Sequence, residues 1–170
     1  MKNKVMKLLI SLLIGISAEA IDLRLVGGAM LSDSVYISKS KSIGVSVSGY
    51  TDTKRSGVAY GVNLAAITSN FKQDEGAYVN LNFEILYRIK RNTEPYIVFG
   101  GVFQNLSNDD YGFGYSYGAG IRYVYCNGWQ LGAEFIEHDL TFNSGRASSA
   151  RFNNQEYSNH NLNAYIGYRF

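Results

Sequence analysis

The chain has 170 residues, a length that suits one domain, and its formal net charge at pH 7 is only +2. The basic residues are scattered singly or in twos, whereas a nucleic-acid-binding surface needs an excess of clustered Lys and Arg. One proline, 14 tyrosines and nine phenylalanines, without any long apolar run beyond the N-terminus, are unusual for a water-soluble domain of this size. The composition therefore argues against a nucleic-acid partner.

The first 20 residues predict an export signal. Lys2, Lys4 and Lys7 precede an apolar run from 8 to 16, and Ala18-Glu19-Ala20 supplies small residues two apart, the pattern that a signal peptidase cuts after. The alternatives are an N-terminal helix or a retained anchor, but the run is shorter than the roughly 20 apolar residues of a spanning helix. We expect a signal peptide over 1–20 and one mature domain over 21–170. Cleavage would leave 13 basic and 13 acidic residues, so the +2 disappears.

Strand-like alternation then recurs along the mature chain, separated by segments rich in Ser, Asn, Asp, Gly and Lys. It predicts eight strands, near residues 22–31, 43–50, 57–67, 77–90, 95–104, 113–126, 129–142 and 160–170. In "VNLNFEILYRI", Val79, Leu81 and Phe83 alternate with Asn80 and Asn82, so one face is apolar and the other polar. The fifth segment, "YIVFGGVFQ", is apolar on both faces, and its orientation stays open.

The connections alternate in length. "TDTKRS", "RNTE" and "CNG" are short, whereas "SDSVYISKSKS", "TSNFKQDEG", "NLSNDDYG" and "NSGRASSARFNNQEYSN" are longer. Short turns at one end, longer loops at the other and an even strand count are typical of a transmembrane β-barrel. We predict an all-β, eight-stranded, antiparallel up-and-down transmembrane barrel.

The "CNG" turn gives a register. If Tyr125 pairs with Trp129, Gly128 takes the left-handed position of a three-residue hairpin loop, and both aromatics point outward. The same register places Glu134 opposite Gly120 and diagonal to Arg122, close enough for the opposite charges to pair.

An eight-stranded barrel is filled by its own side chains, so we expect no open pore. The inward charges would form a hydrogen-bonded plug, because buried charges persist only when they are paired. This predicted interior network comprises Arg24, Glu84, Arg88, Arg122, Glu134 and Arg169.

Aromatic residues predict girdles at the two membrane interfaces. We place Tyr87, Tyr96, Tyr125, Trp129, Tyr168 and Phe170 at the short-turn rim, and Tyr78, Tyr115 and Tyr117 at the opposite rim.

The AEA cleavage site, the alternating segments, the neutral polar interior and the terminal "YIGYRF" resemble the small eight-stranded outer-membrane proteins of Gram-negative bacteria, of the OmpA-transmembrane-domain and opacity-protein type. The resemblance implies insertion among outer-membrane lipids. It also implies that a final strand ending in Phe is recognised by the barrel-assembly machinery. The positions that match this assembly signal are Leu162, Ala164, Ile166, Tyr168 and Phe170.

Two other functions need weighing. A soluble, lipocalin-like barrel would turn the aromatic-rich row inward and the charges outward. A hydrolase acting on lipid A would need a Ser beside a His; the lipid A deacylase pattern has a Ser two residues after the His, and that position after His138 is Leu140. We interpret His138 as a solvated rim residue and predict no enzyme activity, cofactor or metal site.

The segment 143–159 is predicted to be the longest extracellular loop. It combines basic and aromatic groups in a Ser- and Asn-rich context, so it is a candidate for recognising a host or envelope ligand. The candidate contact residues are Arg146, Arg151, Phe152 and Tyr157. The predicted function is a structural or surface-recognition role in the outer membrane, carried by the extracellular loops.

Overall fold

A computed structural model of the chain describes residues 19–32, 40–51, 57–70, 75–89, 92–106, 110–144 and 155–170. Within these residues, eight antiparallel strands form a closed barrel in chain order, and the last strand pairs with the first. The strands are β1 (Ala20–Ser32), β2 (Ser40–Tyr50), β3 (Gly57–Asn70), β4 (Glu75–Arg88), β5 (Thr93–Leu106), β6 (Asp110–Val124), β7 (Trp129–Ser144) and β8 (Gln155–Arg169). The predicted fold class is confirmed.

The start of β1, the end of β8 and the strand ends joined by three of the connections lie at one end of the barrel, which we call the turn end; the strand ends joined by the other four connections define the loop end. The loop-end connections are shorter than predicted, because ladder pairs such as Leu140 with Tyr157 extend past the expected strand ends. An antiparallel ladder satisfies the backbone of polar residues as well as apolar ones, so a Ser- and Asn-rich sequence does not by itself end a strand. These connections span 33–39, 71–74, 107–109 and 145–154.

The period of two separates the side chains onto opposite faces of the wall. On β4, Leu81 and Phe83 are exposed on the outside, whereas Asn82 and Glu84 are buried inside. The fifth strand, which the sequence left unassigned, turns Tyr96, Val98 and Val102 inward. The outer surface carries a belt of large apolar side chains, among them Leu23, Leu25, Ile43, Val45, Val58, Leu64, Leu81, Phe83, Ile97, Phe99, Ile121, Leu131, Phe135, Leu162 and Ile166.

The β6–β7 turn has the predicted register. The Tyr125 amide donates to the Trp129 carbonyl at 2.7 Å, and Gly128 adopts a φ of 91°, which favours glycine. Tyr125 and Trp129 are both exposed, and Gly120 lies opposite Glu134. The three-residue loop is confirmed.

Three inward-facing tyrosines lie over glycines of the neighbouring strand. Tyr50 pairs with Gly61, Tyr96 with Gly120 and Tyr165 with Gly132. A Cβ added at any of these glycines would meet the ring of its tyrosine. The glycines therefore make room for large rings to lie flat against the inner wall, where their hydroxyls reach the centre of the barrel.

Within the described residues, no helix is both long and apolar enough to cross a membrane.

Candidate functional site

The turn-end half of the interior contains a network of ion pairs, which we call the charge cluster. Its members come from five strands, and six of the seven are buried, with the Arg169 side chain 12% exposed at the mouth. Three carboxylates face four guanidinium groups, so nearly every charge has an opposite neighbour. The charge cluster comprises Asp22, Arg24, Glu84, Arg88, Glu94, Arg122 and Arg169.

Arg122 lies at the centre of the charge cluster. Its Nε donates to Glu94 at 2.6 Å, and its Nη1 approaches Asp22 at 3.2 Å. The same Nη1 donates to the Tyr50 hydroxyl at 2.6 Å, and the guanidinium lies 4.5 Å from the centre of that ring. The Tyr50 hydroxyl also accepts from Arg24 and donates to Glu84. One fully buried tyrosine thus links two arginines to a carboxylate, which offsets the cost of removing them from water.

Glu94 holds three arginines. It accepts from Arg122 Nε at 2.6 Å, from Arg88 Nε at 2.8 Å and from both terminal nitrogens of Arg169 at 2.9 Å. Arg169 also donates to Asp22 through Nε at 2.8 Å and Nη2 at 3.0 Å. These charge-assisted bonds join β1, β4, β5, β6 and β8 across the lumen.

Glu134 stands apart from the charge cluster. It accepts from the Tyr96 hydroxyl at 2.8 Å and from the Asn163 amide at 3.2 Å. The prediction that Glu134 pairs with Arg122 is therefore wrong, although the register behind it is right. Arg122 extends away from Glu134, toward the carboxylates of Asp22 and Glu94 at the turn end. The Glu134 carboxylate instead accepts a hydrogen bond from the Tyr96 hydroxyl.

Neutral polar side chains fill the middle of the barrel, and His138 lies among them. The prediction that His138 is a solvated rim residue is wrong, since only 1% of it is exposed. Its ring nitrogens lie 3.3 Å from the amide nitrogens of Asn80 and Asn161, and Tyr78 meets it edge-on with the ring centres 5.1 Å apart. Asn80 and Asn161 thus enclose the ring from two sides, and Leu140, at the position where the lipid A deacylase pattern has its Ser, is buried as well.

The interior leaves little free space in this middle layer. A small cavity in this layer has a volume of about 10 Å³, and its lining includes Arg24, Asn63, Asn82, Glu134 and Tyr165. That volume is room for about one water molecule. At the loop end, Met30, Ile67 and Leu140 are buried inside the barrel and continue the filling.

The structure places the predicted site residues as follows. Five of the six members of the predicted interior network belong to the charge cluster, and the sixth is Glu134. Sequence reasoning missed Asp22, Glu94 and Tyr50. The position of Asp22, two residues before Arg24 on the same strand face, is a signal in the sequence, whereas Glu94 falls in the "RNTE" segment that the sequence predicts to be a connection.

The C-terminal strand carries the predicted assembly signal on the outer face. Leu162, Ala164 and Ile166 are exposed to the exterior, and the Tyr168 ring lies 5.7 Å from Trp129 and 4.9 Å from Phe170, both edge-on. The recognition role of these residues stays a prediction.

Two girdle assignments are wrong. Tyr96 and Tyr78 are 3% and 1% exposed and point into the barrel, where their hydroxyls bond Glu134 and Asn161. A tyrosine suits both environments, since it joins an apolar ring to a polar tip. Tyr115, in contrast, is exposed on the outer face.

The predicted recognition loop 143–159 is shorter in the structure, because β7 continues to Ser144 and β8 begins at Gln155. Tyr157 lies in β8, opposite Leu140. Arg146, Arg151 and Phe152 lie outside the described residues. Among the described residues, no group of three or more His, Cys, Asp or Glu side chains is arranged to hold a metal ion.

Comparison with known proteins gives the fold. No family model matches the chain, and no curated protein sequence matches it. Several solved structures do have a similar fold. The attachment invasion locus protein Ail of Yersinia pestis aligns with a TM-score of 0.57 at 11% identity, over 91% of this chain and 100% of that one. The N-terminal β-barrel domain of OprF from Pseudomonas aeruginosa aligns with a TM-score of 0.56 at 14% identity, over 90% and 98% of the two chains.

Neisserial surface protein A also aligns, with a TM-score of 0.51 at 11% identity, over 89% of this chain and 96% of that one. At such low identity the likeness concerns the fold alone. The chain is an eight-stranded, closed, antiparallel barrel, and it shares this fold with the three solved structures.

Proposed function

We propose that this chain is an integral protein of the bacterial outer membrane, with a structural or surface-recognition role carried by its extracellular loops. One observation carries the proposal: the barrel exposes a belt of large apolar side chains on its outer face and buries six of the seven members of the charge cluster inside. A soluble, ligand-binding barrel has the opposite arrangement. In a lipid bilayer, a closed barrel with an apolar exterior leaves no backbone group unsatisfied.

The barrel does not act as an open pore in this proposal. The charge cluster crosses the lumen at the turn end, and buried side chains continue to the loop end. Opening a channel would require several buried ion pairs to separate at once, and each broken pair leaves an uncompensated charge.

In this proposal the turn end, where β1 begins and β8 ends, faces the periplasm, and the loop end, which has the longest connection, 145–154, faces outward. In this proposal the signal peptide directs export and is cleaved after Ala20, and the assembly machinery recognises the C-terminal strand for insertion. Mass spectrometry of the purified membrane protein tests the cleavage site directly: a mature N-terminus at Ile21 is expected, and a retained Met1 refutes this part of the proposal.

The longest loop-end connection supplies the recognition surface. Arg146, Arg151 and Phe152 fall between β7 and β8, where cationic and aromatic groups suit an anionic ligand. Ail, which has the same fold, was solved in complex with the heparin analogue sucrose octasulfate. We extend to this chain only the class of ligand, a sulfated or otherwise polyanionic saccharide.

Two experiments test the proposal. The first is membrane fractionation with gel migration before and after boiling; the protein is expected in the outer membrane, with faster migration when unboiled. A periplasmic product whose migration does not change refutes the membrane assignment.

The second measures binding of sucrose octasulfate to the detergent-folded barrel. The double variant Arg146→Ala with Arg151→Ala is expected to weaken binding, whereas the double variant Lys54→Ala with Arg55→Ala, which also removes two positive charges but from a connection at the turn end, is the matched control and is expected to bind as the wild type does. Equal binding by all three proteins places the contact surface elsewhere.

A further inference from the structure

The β1–β8 seam differs from the other strand pairs, because no connection within the chain joins its two strands. Seven strand pairs are neighbours in sequence, so a turn or loop keeps them close even when their hydrogen bonds open. The seam has only non-covalent bonds between the two ends of the chain. At the turn end, its last backbone bond runs from the Phe170 amide to the Ile21 carbonyl at 2.9 Å.

One side chain bridges the seam just inside that last bond. Arg169 on β8 lies directly opposite Asp22 on β1 in the ladder. Its Nε donates to one Asp22 oxygen at 2.8 Å, and its Nη2 donates to the other at 3.0 Å. This bidentate arrangement fixes the orientation of both groups as well as their distance.

The same guanidinium also reaches the opposite wall. Both terminal nitrogens of Arg169 donate to Glu94 on β5 at 2.9 Å, and Glu94 is held in turn by Arg122 and Arg88. Arg169 is the last residue of β8, so the end of this strand, which would otherwise fray, is tied to the centre of the barrel.

We propose that Arg169 is a latch: its bidentate bond to Asp22, anchored through Glu94, holds the turn end of the β1–β8 seam closed and couples seam closure to completion of the charge cluster. Without the latch, the seam opens locally from the turn end while the other strand pairs stay intact. The inference depends on the barrel geometry and is independent of what the loops bind.

The hydrogen-bond pattern of β8 supplies an internal reference for the test. The Phe170 amide bonds across the seam to Ile21, whereas the Arg169 amide bonds to the Gly128 carbonyl on the other side of the strand. Backbone amides alternate in direction along an antiparallel strand, so the amide of Tyr168, like that of Phe170, points toward β1 across the seam. Seam opening therefore exposes the amides of 168 and 170 but leaves that of 169 protected.

The experiment is amide hydrogen exchange on the folded full-length barrel in lipid, comparing wild type with Asp22→Asn and Arg169→Gln. Both variants are expected to exchange about tenfold or more faster at 168 and 170, with no comparable change at 169. Combining the two substitutions should add little to either one, because each already removes the same bond.

Arg88→Gln is the matched control. It removes another guanidinium from Glu94 but lies on β4, away from the seam. If the amides of 168 and 170 exchange as much faster in Arg88→Gln as in Arg169→Gln, the latch proposal is wrong. The faster exchange would then come from a general loss of stability of the charge cluster. Unchanged exchange at 168 and 170 in Arg169→Gln would overturn it as well.

A crosslink keeps the test decisive if Arg169→Gln fails to fold. Leu25 and Ile166 are paired across the seam on the outer face, and Phe83 and Phe99 are paired across β4–β5. In a Cys126→Ser background, a disulfide between cysteines at 25 and 166 should restore the fast-migrating unboiled band to Arg169→Gln, whereas one between 83 and 99 should not. Equal rescue by both disulfides, or rescue by neither, refutes a role specific to the seam.

Discussion

Glu94→Gln tests whether the charge cluster stabilises the barrel. Glu94 is fully buried and accepts charge-assisted bonds from Arg88, Arg122 and Arg169. The substitution keeps the shape of the side chain but removes its charge, and it turns one accepting oxygen into an amide that faces arginine donors. Removing one partner of a buried ion pair costs about 3–5 kcal/mol, because the remaining charge stays buried without compensation.

The expected shift follows from this cost. The urea dependence of unfolding for a small protein is about 1–3 kcal/mol per molar, so a loss of about 4 kcal/mol lowers the midpoint by about 2 M. The assay is urea unfolding in lipid vesicles, followed by the fluorescence of Trp129, which is the one tryptophan of the chain and lies exposed at the turn-end rim. Gel migration without boiling gives an independent count of folded molecules.

Glu156→Gln is the matched control, since Glu156 is an exposed carboxylate on β8 at the loop end. An exposed substitution of this kind changes stability by no more than about 0.5 kcal/mol. If Glu94→Gln and Glu156→Gln have the same midpoint as the wild type, the ion pairs of the charge cluster do not stabilise the fold.

Two further substitutions test the inner and outer faces of the wall. Gly120→Ala would press a methyl group into the Tyr96 ring, so we expect the free energy of unfolding in urea to fall by about 1–3 kcal/mol. Gly27→Ala is the control and should be tolerated, because the added methyl group would meet only one atom, at 3.9 Å. Equal losses for the two variants would contradict the packing of Tyr96 on Gly120. Ile166→Arg places a charge in the apolar belt and should cost about 2–4 kcal/mol in lipid, whereas Thr141→Arg near the loop end should cost about 0–1; the reverse order would show that the belt lies at another height.

The sequence was sufficient for the wall of the barrel. A period of two in an antiparallel sheet predicts the strands, and it predicts the faces wherever one row is polar, so the inward orientation of Arg24, Glu84 and Arg122 follows from the sequence, whereas that of β5, which is apolar on both faces, does not. The "CNG" turn fixed the register of its hairpin, because a three-residue loop with glycine in the left-handed position admits one pairing. Both results depend only on neighbours along the chain or across one hairpin.

The side-chain contacts across the lumen could not be predicted from the sequence. Which inward side chains meet depends on the shear of the closed barrel, which sets the relative heights of strands on opposite walls. The pair of Arg24 with Glu84 joins β1 to β4, and that of Arg169 with Glu94 joins β8 to β5. The contacts of the buried His138 could not be predicted for the same reason, because its partner Asn80 lies on β4, across the interior from β7.

A double-mutant cycle separates the pair that the hairpin register predicted from the pair that the structure contains. Arg122 and Glu134 are near in register and both contact Tyr96, but they meet only through that side chain, whereas Arg122 Nε donates to Glu94 at 2.6 Å. Residues in contact or in one ion-pair network show coupling of about 0.5–3 kcal/mol, and a direct ion pair should give a larger coupling than a contact that runs through Tyr96 alone. We therefore expect Arg122→Gln to couple strongly with Glu94→Gln and weakly with Glu134→Gln. Stronger coupling of Arg122 to Glu134 would mean that, in the membrane, the arginine turns toward the middle of the barrel.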